Sequence, residues 1–157
     1  MSKRRVVITG LGAVSSVGNT AEETWQAVKA GKSGVSHITL FDAADFPVQI
    51  AAEVKDFSLD AYNVNHKLSR KMSRFAKFLL GAGIQAVNDS GLSSETLASG
   101  KTGIVTGIGI GLSDGLDAGY RKYFDPNAGV NRLPPLTAPL SLNNEASANV
   151  SMYFGIK

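Results

Sequence analysis

Between Leu68 and Val87 the apolar residues Leu68, Met72, Phe75, Leu79, Ala82 and Ala86 recur at alternating steps of four and three. That is the period of one helix face, and a face this long has to be buried against another layer of structure. The spacing predicts a helix over 68–87, ended by the cap and turn residues Asn88-Asp-Ser-Gly91. A second helix is signalled by Thr20-Ala-Glu-Glu23, a capping box in which the Thr20 hydroxyl accepts from the third helical N–H while Glu23 reaches back. This helix carries Trp25 and Val28 on one face and stops at Gly31.

Strands are predicted where β-branched runs meet glycine. Arg5 to Thr9 (RVVIT) reads as a buried strand ending at Gly10, and Lys101 to Ile110 (KTGIVTGIGI) as a second. Val48–Ala52 suggests a further short strand in a stretch, 32–65, without a long period. Ser113 to about Phe124 is a weaker helix, and Leu140 to Phe154 a final one with Gly155 as its cap. Most of the prolines fall within Asp125 to Pro139, which argues against regular structure there. The order strand, helix, helix, strand, helix, helix predicts an α/β layered fold.

Composition excludes several chemistries. The 157 residues contain no cysteine, so no disulfide, Cys-ligated metal or thiol nucleophile lies within them. His37 and His66 are too few for a zinc site, and no metal or cofactor is expected. No G-x-S-x-G elbow occurs. Hydrophobic residues make up 43%, enough for a core, while charged residues reach only 18%, a mark of a chain that buries much of its surface. The net charge of +3 does not by itself imply a nucleic-acid partner. No apolar stretch is long enough for a membrane span. Lys3, Arg4 and Arg5 before an apolar run mimic a signal peptide, but the run is broken by glycine and serine and leads into a helix start, so a cytoplasmic protein is expected.

Three motifs have competing readings. Gly10-x-Gly12-x-x-Ser15 follows a strand, as a dinucleotide fingerprint would. Its third glycine is missing, however, and the next helix starts only after Asn19. The alternative is that small residues let the strand pack closely against a helix. Gly103, Gly107, Gly109 and Gly111 lack the Lys-Ser/Thr of a P-loop; they mark a bend beside a cavity, which Ile110 lines, or plain core packing. Lys67, Arg70, Lys71, Arg74 and Lys77 sit at helical spacing with no acid among them. Such a stripe is either a surface for an acidic partner or a solvated helix face.

Taken in order, the motifs resemble the β-ketoacyl-acyl-carrier-protein synthases of fatty-acid synthesis, the type II condensing enzymes. The resemblance is carried by Arg4-Arg-Val-Val-Ile-Thr-Gly-Leu-Gly-Ala-Val-Ser-Ser-Val-Gly18, Thr24-Trp25, Ala30-Gly-Lys-Ser-Gly34 and Phe41-Asp42. Ser69-Arg-Lys-Met72, Asp89-Ser-Gly91, Gly107-Ile-Gly-Ile-Gly111 and Met152-Tyr-Phe-Gly155 continue it. It implies a thiolase-like layered α-β-α-β-α fold, of which residues 1–157 form most of the first half. It implies decarboxylative condensation of an acyl group, held on a cysteine, with malonyl carrier protein, assisted by two histidines; these residues are expected beyond Lys157.

Within the chain the resemblance implies that Lys67, Arg70 and Lys71 dock the acidic acyl carrier protein, with Arg74 and Lys77 extending that surface. Ile110 is implied to line the acyl pocket near the interface of a homodimer. Two departures from the family pattern bear on substrate range. Leu136-Thr137 replaces the aromatic pair of a Pro-aromatic-aromatic-x-Pro stretch, Pro135 to Pro139, and Glu145 stands where an apolar residue is usual. Rival readings are a non-catalytic partner subunit of a polyketide system and an unrelated nucleotide-binding α/β domain.

Overall fold

The computed structural model describes residues 4–111, 113–127, 133 and 135–157. Of the sequence features singled out above, Lys3, and residues 128–132 and 134 of the proline-rich stretch, lie outside the described residues. In chain order the elements are α1 (Ala21–Lys29), β1 (Val35–His37), β2 (Ile50–Ala52), a 3-10 turn (Leu59–Tyr62), α2 (His66–Ser69), α3 (Arg74–Ser90), α4 (Ser94–Ala98), α5 (Ser113–Tyr123), α6 (Thr137–Leu140) and α7 (Glu145–Phe154). The described residues thus combine helices with one small sheet, β1 paired antiparallel to β2 in the register Ser36 to Ala51. No described helix is long and apolar enough to cross a membrane.

The chain divides into two compact units, Met1–Ser58 with Gly81–Gly91, and Leu59–Leu80 with Leu92–Lys157. In the first unit α1 begins as predicted. The Thr20 side chain accepts from the Glu23 N–H at 3.1 Å, and the Glu23 carboxylate accepts from the Thr20 N–H at 3.2 Å. Gly31, at φ 63°, ends the helix, with the Lys32 N–H returning to the Ala27 carbonyl. The face of α1 that carries Trp25 and Val28 is exposed, and Ala27 is the buried residue of this helix. Trp25 instead lies under the Lys29 ammonium, 5.7 Å from its ring centre.

The segment 5–9 is not a strand among the described residues, and Val6, Val7 and Ile8 are exposed. A strand exists only through its neighbour's backbone, and no described segment pairs with this one. The glycine loop after it does match the close-packing reading. A Cβ on Gly10 would overlap the Ala86 carbonyl, and one on Gly12 the Ala82 carbonyl, so Ala82 and Ala86 turn their backbone to the loop. The loop's donors are taken by α3 side chains. Asp89 accepts from the Leu11 N–H at 2.9 Å. Gln85 Oε1 accepts from the Ala13 N–H at 3.2 Å and the Ala21 N–H at 3.0 Å, while its Nε2 donates to the Asn19 carbonyl at 2.9 Å. One side chain therefore closes both ends of the turn.

The β1–β2 hairpin is latched by Glu53, a buried carboxylate just after β2. It accepts from the Thr39 N–H at 2.9 Å, the Thr39 hydroxyl at 2.7 Å and the Leu40 N–H at 3.2 Å. The Thr39 hydroxyl, then the Thr39 N–H, the Leu40 N–H and the nearby Lys55 charge, hold the Glu53 carboxyl below its ordinary value of 4.5.

In the second unit the predicted helix over 68–87 is broken. α2 ends at Ser69, residues 70–73 turn, and α3 restarts at Arg74. The buried line shares Met72 with the predicted stripe but then leaves it, running through Ala76 and Leu80, and in the first unit through Ile84; Phe75, Leu79 and Ala82 are only half-buried. Besides Leu80 the second unit buries Leu59, Val64, Leu97, Ala146 and Val150. Segment 101–110 is no strand among the described residues; Val105 is fully exposed, and for the same reason as at 5–9. α5 matches its prediction. The final helix predicted over 140–154 starts only at Glu145, as α7; before it, α6 contains Pro139, contrary to the exclusion drawn from proline content. Pro139 is the third residue of that helix, where an N–H has no intrahelical partner to lose. Gly155, at φ 67°, caps α7 as predicted.

Substitutions at two glycines discriminate close packing from open space. Gly12→Ala should cost about 3 kcal/mol in urea unfolding, because the obstructing atom is helix backbone. Gly103→Ala, with nothing within 4 Å of its Cβ, should stay within about 0.5 kcal/mol. The lowered Glu53 carboxyl makes stability that is present above its ordinary value and is lost as pH falls through its folded value. Protection of the Thr39 and Leu40 amides from hydrogen exchange should therefore fall on acidification below about pH 4.5, and Glu53→Gln should remove that dependence.

Candidate functional site

The basic residues picked out by sequence all belong to the second unit. Lys67 is on α2, whose start is capped by Asn65 accepting from the Lys67 N–H at 2.8 Å. Arg70 and Lys71 form the turn that closes α2, with N–H groups returning to the His66 and Leu68 carbonyls at 3.0 Å. Arg74 is the first residue of α3, and its guanidinium lies 5.2 Å from the Phe78 ring centre. Lys77 follows one turn on. The stripe is thus carried by two helices and a turn rather than by one helix. Lys67, Arg70, Lys71 and Arg74 are exposed, while Met72 and Ser73 between them are buried. Among the described residues no carboxylate forms an ion pair with Lys67, Arg70, Lys71 or Lys77.

Arg74 and Lys77 occupy the first turn of α3, where the helix dipole already places partial positive charge. Two carboxylates relieve that end. Glu145, the first residue of α7, is buried; it accepts from the Ser73 N–H at 3.1 Å and from the Ser73 hydroxyl. It also accepts from the Asn149 amide at 2.9 Å. Asp114, in the first turn of α5, accepts from the Arg74 N–H at 3.3 Å. Each acid lies in the first turn of its own helix and also caps α3, so it faces two positive helix ends. Three donors and those dipoles make burial of the Glu145 charge tolerable. Sequence periodicity missed this arrangement, because the partners are 40 and 72 residues apart. The signals were Glu145 opening an apolar helix and Ser73 interrupting an apolar stripe.

Ile110 is 86% exposed, and the glycines before it are in open space. A groove of about 270 Å³ lies nearby in sequence but on other residues, between Thr102–Ile104 and the α7 side chains Ser147 and Ser151. In the first unit a cleft of about 520 Å³ is lined by Leu11, Glu22, Trp25, Gln85 and Asp89. The Gly10–Gly18 loop beside it has its Leu11 and Ala13 donors committed to α3, so those two donors cannot serve a pyrophosphate. His37 lies on β1 and His66 opens α2. Among the described residues no group of three His, Cys, Asp or Glu side chains is placed to hold a metal ion.

Comparison with known proteins bears on this geometry. A 3-oxoacyl-[acyl-carrier-protein] synthase 2 from Coxiella burnetii is 42% identical over all 157 residues, which correspond to 37% of that protein. The ishigamide ketosynthase/chain length factor superposes with a TM-score of 0.88 at 28% identity, over 99% of this chain and 38% of that one. AntDE:AntF, a type II polyketide-synthase acyl-carrier protein in complex with its ketosynthase, superposes with a TM-score of 0.65 at 20% identity over 99% of this chain and 41% of that one. The chain spans little more than a third of the length of the curated relatives it matches. The model of the beta-ketoacyl synthase N-terminal domain matches residues 3–157, and the chain belongs to that family.

Proposed function

We propose that these residues form the N-terminal part of a 3-oxoacyl-[acyl-carrier-protein] synthase that elongates acyl chains. The family match over 3–157 carries this reading, supported by 42% identity to a synthase of that activity. The chemistry is decarboxylative condensation. A thiolate holds the acyl group as a thioester; malonyl carrier protein loses carbon dioxide, and the carbanion attacks the thioester carbonyl and expels the thiolate. With no cysteine among the 157 residues, the thiol has to come from outside them. These residues contribute recognition instead.

Lys67, Arg70, Lys71 and Arg74 form the docking surface for an acidic acyl carrier protein. Their exposure, their lack of paired acids at Lys67, Arg70 and Lys71, and the positive end of α3 all favour an anionic partner. AntDE:AntF supplies an instance of a similar fold held with its carrier protein. Ile110 is a wall of the acyl pocket, completed in a homodimer; its exposure here leaves it free to meet such a surface. In the complete protein the fold is thiolase-like, in α-β-α-β-α layers, and residues 1–157 form most of its first half. Segments 5–9 and 101–110 then become paired strands, which covers Val6, Ile8 and Val105. A cytoplasmic location belongs to the same proposal and rests on the family relationship alone.

A second reading is favoured by one observation, the likeness to a ketosynthase/chain length factor at a TM-score of 0.88. On that reading the protein shapes an acyl pocket without a nucleophile. Incubating the full-length protein with acyl carrier protein that carries an acyl group as its thioester, and measuring the intact mass of the full-length protein, separates the two. A covalent acyl adduct is expected for the synthase, and its absence assigns the protein to the partner-subunit class. For docking, Lys67→Glu with Lys71→Glu should weaken carrier-protein binding roughly tenfold or more at low salt, with the difference shrinking as salt rises. An unchanged dissociation constant would remove the docking assignment.

A further inference from the structure

We propose that Glu145, through Ser73 and together with Asp114, is a positioning residue that sets the backbone of the basic turn Arg70–Arg74 for its acidic partner. The inference rests on the docking role proposed above and goes beyond it to the residues that hold the surface in shape. Its basis is the hydrogen bonding of two consecutive amides. The Ser73 N–H is taken by Glu145 at 3.1 Å and the Arg74 N–H by Asp114 at 3.3 Å. The Ser73 hydroxyl is taken by the same Glu145 carboxylate and also accepts from the Ala76 N–H at 3.4 Å. Three of the four docking cations, Arg70, Lys71 and Arg74, are within three residues of Ser73.

A flexible turn carrying arginine and lysine would lose backbone freedom on binding as well as side-chain freedom. A turn already fixed loses only the latter, and its affinity is higher by the difference. The Glu145 side chain is suited to this because it is buried and anchored at its own base. Asn149, one turn along α7, donates to both the Glu145 carboxylate and the Glu145 carbonyl at 2.9 Å.

Positioning and charge alone predict opposite signs. Glu145 is an acidic side chain bonded to the backbone of a turn whose surface attracts an anionic partner. On electrostatics alone, Glu145→Gln should strengthen binding, since it removes a repulsive charge. Positioning requires it to weaken binding. Ser73→Ala is the second variant; it changes no charge and removes the hydroxyl's bonds with Glu145 and with the Ala76 N–H.

The experiment is binding of an acidic acyl carrier protein to the full-length protein and its variants, with hydrogen exchange of the Ser73 and Arg74 amides read in parallel. Glu145→Gln and Ser73→Ala are each expected to raise the dissociation constant roughly three- to tenfold, mainly through faster dissociation, and to lose protection at those amides. Lys71→Glu is expected to slow association instead. If Lys71→Glu weakens binding while Ser73→Ala, or a folded Glu145→Gln, binds as well as or better than the parent, positioning is wrong and docking stands. If Lys71→Glu has no effect, the docking reading falls and this inference with it.

Discussion

The second unit depends on how one helix is allowed to begin. α3 starts at Arg74, just after a serine, with arginine and lysine in its first turn, an arrangement that the helix dipole disfavours. It becomes stable because carboxylates arrive from the starts of two other helices. Glu145 and Asp114 satisfy amides that an N-terminus leaves open and offset the charge that the basic residues add. The cost of burying Glu145 is met by the same contacts. A polar network of this kind either closes completely or does harm, and here no buried side-chain polar atom among the described residues lacks a partner.

The first unit solves a similar problem with different means. A glycine loop approaches α3 so closely that no side chain fits at Gly10 or Gly12. Backbone proximity alone would strand the loop's N–H groups. Gln85 and Asp89 take them, so side chains spaced one turn apart on α3 do the work that a sheet neighbour would do elsewhere. Glu53 does the same for the hairpin through Thr39 and Leu40.

Local signals in the sequence were reliable. The Thr20–Glu23 capping box, the glycine stops at Gly31, Gly91 and Gly155, and α5 were all legible, because each depends on residues within a few positions of one another. Features set at a distance were not. The break at 70–73 needs Glu145, which lies 72 residues beyond Ser73. The drift of the buried line on α3 away from the predicted stripe needs knowledge of what packs on each side. Segments 5–9 and 101–110 have strand composition, but a strand's identity rests in its partner, and composition cannot supply one. Of the candidate site, the basic residues were legible as a stripe, whereas their division between α2, a turn and α3 was not.

The aromatic residues are distributed unevenly between the two units. Trp25, the single tryptophan, belongs to the first, while Tyr62, Tyr120, Tyr123 and Tyr153 all belong to the second. The chain therefore carries its own pair of optical reporters. Tryptophan emission follows α1 and its lysine-covered ring, and tyrosine absorbance follows the other unit with its stacked Tyr120 and Phe124. Coincident melting by the two signals would describe one cooperative transition, and separated midpoints would describe two folding units within a single polypeptide.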